Sequence, residues 1–238
     1  IFYDLIPLLN SESYLTTNPE FERFYRYKLK CLSKLDGLLA ISFSSAKEAV
    51  KYLSFDKKFV FNISSACNQK LFNQVPNPTV EQSLKLDRFS PYILYSGACD
   101  PRKNIKGLLE AFSLLPNCVS EYNLVLVGKL LPAEVDLIDE LILTYQIDPK
   151  KVFKLGYVSD DELATLYRCS KLFIFPSFHE GFGLPVLEAM CCGAPVLASN
   201  RTSIPEVIGF DKAMFNPSNV QEMKELMYKA LVDNDFRE

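Results

Sequence analysis

From residue 91 onward, short apolar runs alternate with segments whose apolar positions recur every three or four residues. The runs YILYSG (92–97), YNLVLVG (122–128), VFKLG (152–156), KLFIFPS (171–177) and APVLAS (194–199) have the length and composition of buried strands. Between them, NIKGLLEAFSLL (104–115) puts Ile105, Leu108, Leu109, Phe112 and Leu115 on one helical face. Helices are also predicted at 132–146, from Ser159, at 184–192, at 203–208 and at 218–233, with a short strand at 213–215. Ser159 and Glu162 form a capping-box signature at the start of one of them. Strands alternating with helices of this length predict right-handed βαβ units and a parallel sheet, so 91–238 reads as a complete Rossmann-like α/β domain.

The pattern before residue 91 is shorter. It predicts strands at 1–6, 37–42 and 58–63 and helices at 19–35 and 44–53. Three strands and two helices make a poor domain alone. Residues 1–72 are therefore expected to be the second half of another α/β domain. The stretch 73–90, polar with two prolines and no periodicity, is expected to be a linker or a long surface loop. The chain opens on IFYDLIPLL without a methionine and is expected to begin inside a longer protein.

Composition narrows the function classes. Of 238 residues, 48% are hydrophobic and 23% charged, the balance of a globular chain. A net charge of −3 argues against a nucleic-acid partner. No apolar run is long enough to span a bilayer and no secretory signal is visible, so a cytoplasmic protein is expected. Seven scattered cysteines without a Cys-x-x-Cys pair read as reduced thiols, and one histidine removes most metal schemes. No metal site and no cofactor is expected.

Two strand-to-helix junctions carry the candidate chemistry. In FPSFHEGFGLPVLEAMCCGAPVLAS (175–199), Glu180 stands in a loop with Gly181, Phe182 and Gly183, and Glu188 lies one helical turn beyond Leu184. Pro185 suits the first turn of a helix, whose free N–H groups would face ligand at the carboxyl end of a parallel sheet. One acid can then reach a sugar at the loop and the other a second diol along the helix. In SGACDPRKN (96–104), Gly97 permits close backbone approach, Arg102 and Lys103 offer adjacent cations that match a diphosphate, and Asn104 can cap the next helix. The bland reading of both junctions is solvated charge at ordinary turns.

Five segments, DPRKNIKGLLEAF, LGYVSDDELATLY, FPSFHEGFGLPVLEAM, GAPVLASNRTSIPEV and FNP, stand in the order and spacing of the retaining glycosyltransferases of family 4, which the chain resembles over nearly its whole length. The resemblance implies a GT-B architecture, with two Rossmann-like domains facing each other across a cleft. It implies a nucleoside-diphosphate sugar donor, a glycan or glycolipid acceptor, and transfer of a hexose, mannose mildly preferred. Matched residue by residue, Glu180 would bind donor-sugar hydroxyls, and Arg102 and Lys103 would hold the diphosphate and support the leaving charge. Glu188 would hold the ribose. Gly97, Phe182, Gly183 and Leu184 would line the donor site, and Gly156, Tyr157 and Val158 the base pocket. Tyr3 and Asp4 would lie on the acceptor side, where the family often has histidine in place of Tyr3.

The family's N-terminal Gly-rich loop and its last crossing helix have no counterpart, so the chain is expected to be truncated at both ends and to transfer sugar poorly alone. Self-association through the half-domain is a further expectation. A non-catalytic nucleotide-sugar-binding or scaffolding module is the competing function. His179 reads as a loop residue beside the sugar, because no hydrolase elbow accompanies Ser177, and a Rossmann oxidoreductase lacks its Gly-x-Gly-x-x-Gly. Asp233, Asn234 and Asp235 read as a solvated helix end. The basic helix at 19–35 reads as core-facing with a solvated back, and peripheral membrane contact is its second reading.

Overall fold

The computed structural model describes residues 1–237. The first elements are α1 (Ile6–Leu9), α2 (Ser11–Tyr14), α3 (Pro19–Leu32), β1 (Leu38–Ala40), α4 (Phe43–Leu53) and β2 (Val60–Asn62). β1 and β2 pair in parallel, and Phe2 adds a single parallel bridge to Ala40 on the other side of β1. The strand expected at 1–6 is therefore one bridge only. Asp4 accepts the Ile6 N–H at 2.9 Å, and Pro7 in the first turn of α1 has no N–H to give a ladder. The first two residues of the strand expected at 58–63 likewise lie in a 3₁₀ turn, Lys57–Phe59, capped by the Asp56 carboxylate, and the strand itself is Val60–Asn62. Phe2, Leu5, Leu38, Ala40 and Ala49 form the small core of this region.

Residues 73–90 are not structureless. They hold α5 (Pro78–Leu84), started by the Asn77 side chain and by Pro78 in its first turn, and a 3₁₀ turn comes after it. Leu84 and Phe89 are buried in the core of the C-terminal domain, in the same apolar cluster as Phe72. The polar residues of this stretch are its exposed face.

The remaining elements are β3 (Tyr92–Ser96), α6 (Ile105–Ser113), β4 (Asn123–Val127), α7 (Pro132–Thr144), β5 (Val152–Gly156), α8 (Asp160–Cys169), β6 (Leu172–Phe175), α9 (Leu184–Cys191), β7 (Val196–Ser199), α10 (Ile204–Ile208), β8 (Met214–Phe215), α11 (Val220–Val232) and α12 (Asn234–Arg237). The strands form one parallel six-stranded sheet in the order β5-β4-β3-β6-β7-β8. The strand order reverses beside β3, which is where open α/β sheets bind ligands at their carboxyl ends. An apolar core lies on each face of this sheet: Ile93, Leu108, Leu126 and Met227 belong to one, and Tyr92, Leu94, Tyr167 and Phe173 to the other. Strands buried on both faces explain the unbroken apolar runs. The Asp233–Asp235 segment, expected as a solvated helix end, joins α11 to α12, with Asp233 Oδ1 accepting the Phe236 N–H at 3.1 Å.

Candidate functional site

The loops after β3, β6 and β7 meet at the carboxyl edge of the sheet. After β3, a 3₁₀ turn, Pro101–Lys103, is fixed by Asp100 Oδ1, which accepts the Arg102 N–H at 3.0 Å. Asn104 then adopts left-handed geometry (φ 58°) and caps α6 by accepting from the Gly107 N–H. Its amide donates to Pro217 O at 2.8 Å, which ties the DPRKN turn to the distant FNP segment. The loop after β6 is sewn to this turn: the Phe178 N–H donates to Arg102 O at 2.7 Å. The loop after β7 supports it from the other side. Thr202 Oγ1 accepts the Glu180 N–H at 3.0 Å, and Ser203 Oγ donates to Glu180 O at 2.9 Å.

These loops bring Arg102, Lys103 and Glu180 together. Glu180 Oε1 accepts from Arg102 Nη1 at 2.8 Å, Lys103 Nζ at 2.7 Å and Ser177 Oγ at 2.5 Å. Burial of the Lys103 ammonium lowers its pKa, an effect that Glu180 partly offsets. Burial also opposes the Arg102 charge, but Glu180, Tyr14 and Asp100 outweigh it and the pKa is raised. Lys103 Nζ lies 4.8 Å from the centre of the Phe175 ring, so an aromatic face backs the ammonium. Two cations thus face the end of the sheet with one carboxylate already placed among them.

Glu188 lies one turn into α9. The start of that helix depends on Gly183, whose φ of 103° is costly for any side chain, and on Pro185 behind it. Tyr167 Oη is 3.5 Å from Glu188 Oε2 and 2.8 Å from Ser96 Oγ. Partial burial raises the Glu188 pKa, and the Tyr167 hydroxyl opposes the rise. Tyr167 was not among the expected site residues, and no local spacing pairs it with Glu188.

Gly97 directly follows β3 with a positive φ of 150°, and a Cβ there would meet Tyr95 Oη at 2.9 Å. Gly156 ends β5 with φ 71° and open space around it, and Tyr157 beside it is 79% exposed. Val158 packs against the apolar core, Phe182 is buried and Leu184 is partly exposed. Among the described residues no cluster of histidine, cysteine or acid side chains could hold a metal ion.

The acceptor-side candidates sit directly on the Glu180 loop. A Cβ on Gly181 would lie 2.9 Å from Tyr3 O and 3.0 Å from Asp4 Oδ2, so the missing side chain of this glycine makes room for contact with the 3–4 segment. The Tyr3 ring is 62% exposed. Asp4 is partly buried, which raises its pKa. Sequence reasoning missed Ser45, whose hydroxyl donates to Tyr3 O at 2.5 Å and lies 3.1 Å from Gly181 O. It also missed Glu48, which lies 2.7 Å from His179 Nε2.

A doubly wound parallel sheet with cations and two acids at its switch point, beside a smaller α/β unit, has the GT-B fold of its solved structural neighbours. The sequence profile described as "Glycosyl transferases group 1" matches residues 77–238, and the chain belongs to that family. Among similar proteins, the serotype-specific mannosyltransferase WbdA of Escherichia coli is 44% identical over 240 residues, covering 99% of this chain and 29% of that protein. O-antigen chain mannosyltransferase B of Escherichia coli is 35% identical over 219 residues, covering 90% of this chain and 57% of that protein. Anabaena Alr3699/HepE, solved in complex with UDP and glucose, superposes with a TM-score of 0.81 at 20% identity, covering 99% of this chain and 62% of that one. The chain spans less than a third of the length of the WbdA relatives.

Proposed function

We propose that this chain is the donor-binding part of a retaining mannosyltransferase that draws on a nucleoside-diphosphate mannose and extends a surface polysaccharide or glycolipid. The observation that carries the reading is the Arg102–Lys103–Glu180 cluster at the carboxyl edge of the sheet. A diphosphate seated there would accept from the guanidinium fork and the ammonium, and Glu180 would turn its freed acceptors to sugar hydroxyls. The relatives named mannosyltransferases support mannose as the sugar. Glu188 would receive the ribose hydroxyls. The bond between the anomeric carbon and the phosphate oxygen breaks as the acceptor oxygen bonds the same face of the sugar. The acceptor's proton passes to the departing phosphate oxygen, whose charge Arg102 and Lys103 stabilise.

No helix among the described residues is long and apolar enough to cross a membrane. A cytoplasmic location would match where nucleotide-sugars are used. Peripheral contact through α3, which exposes Phe24 and Tyr27 beside Arg23, Lys28 and Lys30, would bring the protein to a lipid-borne acceptor. The deciding experiment has two arms: a thermal-stabilisation screen of this chain with GDP, UDP, GDP-mannose and UDP-glucose, and a transfer assay on the longer protein. Stabilisation by one nucleotide and mannosyl transfer from its sugar are expected. Binding without transfer by the longer protein would favour a scaffolding role instead.

A further inference from the structure

The chain's one histidine faces away from the diphosphate cluster and toward the N-terminal region. His179 Nε2 is 2.7 Å from Glu48 Oε1, a close contact whose angles do not make a hydrogen bond, and both side chains are close to nine-tenths buried. The other oxygen of the same carboxylate, Glu48 Oε2, accepts the Leu5 N–H at 3.1 Å. One carboxylate therefore touches both the 3–5 segment and the loop that carries Glu180. His179 O accepts from Arg102 Nη1 at 2.9 Å, so the loop is pinned on the diphosphate side by its carbonyl and on the acceptor side by its ring.

The helix that carries Glu48 is itself anchored across the same seam. Glu206, in α10, accepts the Phe43 and Ser44 N–H groups at 2.7 Å each, as a carboxylate at the start of α4. Ser45, one turn before Glu48, sits between Tyr3 O and Gly181 O. The backbones of Tyr3 and Gly181 meet with no room for a Cβ. These contacts converge on two short segments, 3–5 and 179–181, and Glu48 with His179 is the side-chain pair that joins them.

We propose that Glu48 and His179 are positioning residues that clamp the Asp4 segment to the Glu180 loop, fixing the acceptor wall relative to the bound donor sugar. Neither residue needs to touch substrate. This inference rests on the proposed sugar-transfer reading for its kinetic consequence, while the clamp itself has a readout that does not.

The test compares Glu48→Ala, His179→Ala and Glu48→Gln with the parent chain by hydrogen exchange and kinetics. Each alanine variant should raise exchange on both sides of the seam, in peptides covering 1–9 and 176–184. Glu48→Gln keeps an acceptor for the Leu5 N–H and a side chain of the same length against His179, and should restore most of the protection. In the longer protein, each alanine variant should lose about 10- to 100-fold in turnover, since a displacement of about 1 Å can cost that much. The Kd for GDP or UDP should shift less than about threefold, because the diphosphate residues stay in place. The double alanine variant should be no worse than the poorer single one. Exchange that rises only on the side of the substituted residue would overturn the clamp, as would additive losses or a matching loss of nucleotide affinity. A parent protein that transfers no sugar would sink the proposed function instead, and the exchange data would still decide the clamp.

Discussion

Lys103 Nζ and Glu180 Oε1 lie 2.7 Å apart, with about a tenth of each side chain exposed. The proposed diphosphate-binding cation is thus already partnered within the protein. Under the proposed function the pair would set up a competition: an incoming diphosphate would share Lys103 and Arg102 with Glu180, and Glu180 would regain acceptor capacity for sugar hydroxyls as it did so. Donor binding and sugar orientation would then be one rearrangement.

Glu180→Gln is therefore expected to leave bare nucleoside-diphosphate affinity unchanged or to strengthen it by up to about tenfold, because the cations lose their internal counter-charge. The same change should lower sugar-transfer turnover in the longer protein. Lys103→Ala should weaken the nucleoside diphosphate by about 10- to 100-fold, the size of a charge-assisted hydrogen bond. Calorimetry on both variants decides the matter. A Glu180→Gln protein that binds bare diphosphate more weakly than the parent would remove the competition argument.

Glu188 provides a pH signature. Its pKa is raised by burial above the ordinary glutamate value, so in the free protein it takes up a proton at a higher pH than an exposed glutamate would. The charged form is the better acceptor for ribose hydroxyls. Nucleotide affinity should fall as pH drops through that raised pKa, and Glu188→Gln should flatten this acid limb while weakening binding at neutral pH. The sign for stability runs the other way. A carboxylate with a raised folded pKa favours the fold below its unfolded pKa, and the contribution is lost as pH rises through the folded value. Glu188→Gln should therefore gain stability relative to the parent at neutral pH, in thermal melts without nucleotide. An unchanged acid limb in the variant would assign the pH dependence to another group.

Gly181→Ala probes the contact between the two regions. The added methyl would meet Tyr3 O at 2.9 Å, and Asp4 Oδ2 and Cβ at 3.0 and 3.2 Å. Backbone must move, at a cost of about 1–3 kcal/mol. The expected result is a lower melting temperature and reduced transfer with nucleotide affinity nearly intact. A variant that melts like the parent would mean that the 3–4 segment can step aside freely.

Much of the large sheet was legible because its signals are local. Ser159 and Glu162 start α8 with both capping-box hydrogen bonds, and Asn104 caps α6 as its position suggested. Pro185 after a left-handed Gly183 starts α9 in the same way. α5 had a readable start in Asn77 and Pro78, but the polar residues of the 73–90 stretch hid its two buried side chains, Leu84 at the end of α5 and Phe89 beyond it. What the residues alone could not reveal is pairing between distant positions. Tyr167 with Glu188, Glu48 with His179 and Asn104 with Pro217 are joined only by the tertiary fold. The N-terminal strand at 1–6 failed for the opposite reason. A favourable apolar pattern lost to a local competitor, the Asp4 side chain with Pro7 behind it.

The small sheet makes the last prediction. β2 pairs with β1 alone among the described residues, which leaves its outer edge open. Leu39 and Phe61 are parallel-strand partners, and both are exposed, as are Phe59, Ile63 and Phe43 in the same region. An open edge beside exposed apolar side chains is a template for pairing with another chain. The 238 residues expressed by themselves should therefore self-associate as concentration rises, and light scattering on the purified chain will show it. Phe61→Lys puts a charge in the middle of the patch and should return the chain to a monomer without lowering its nucleotide affinity, because Arg102, Lys103 and Glu188 belong to the other sheet's loops and helices. Association that persists unchanged in Phe61→Lys would place the contact elsewhere. A parent chain that stays monomeric across the concentration range would show that the exposed face is tolerated in water as it stands.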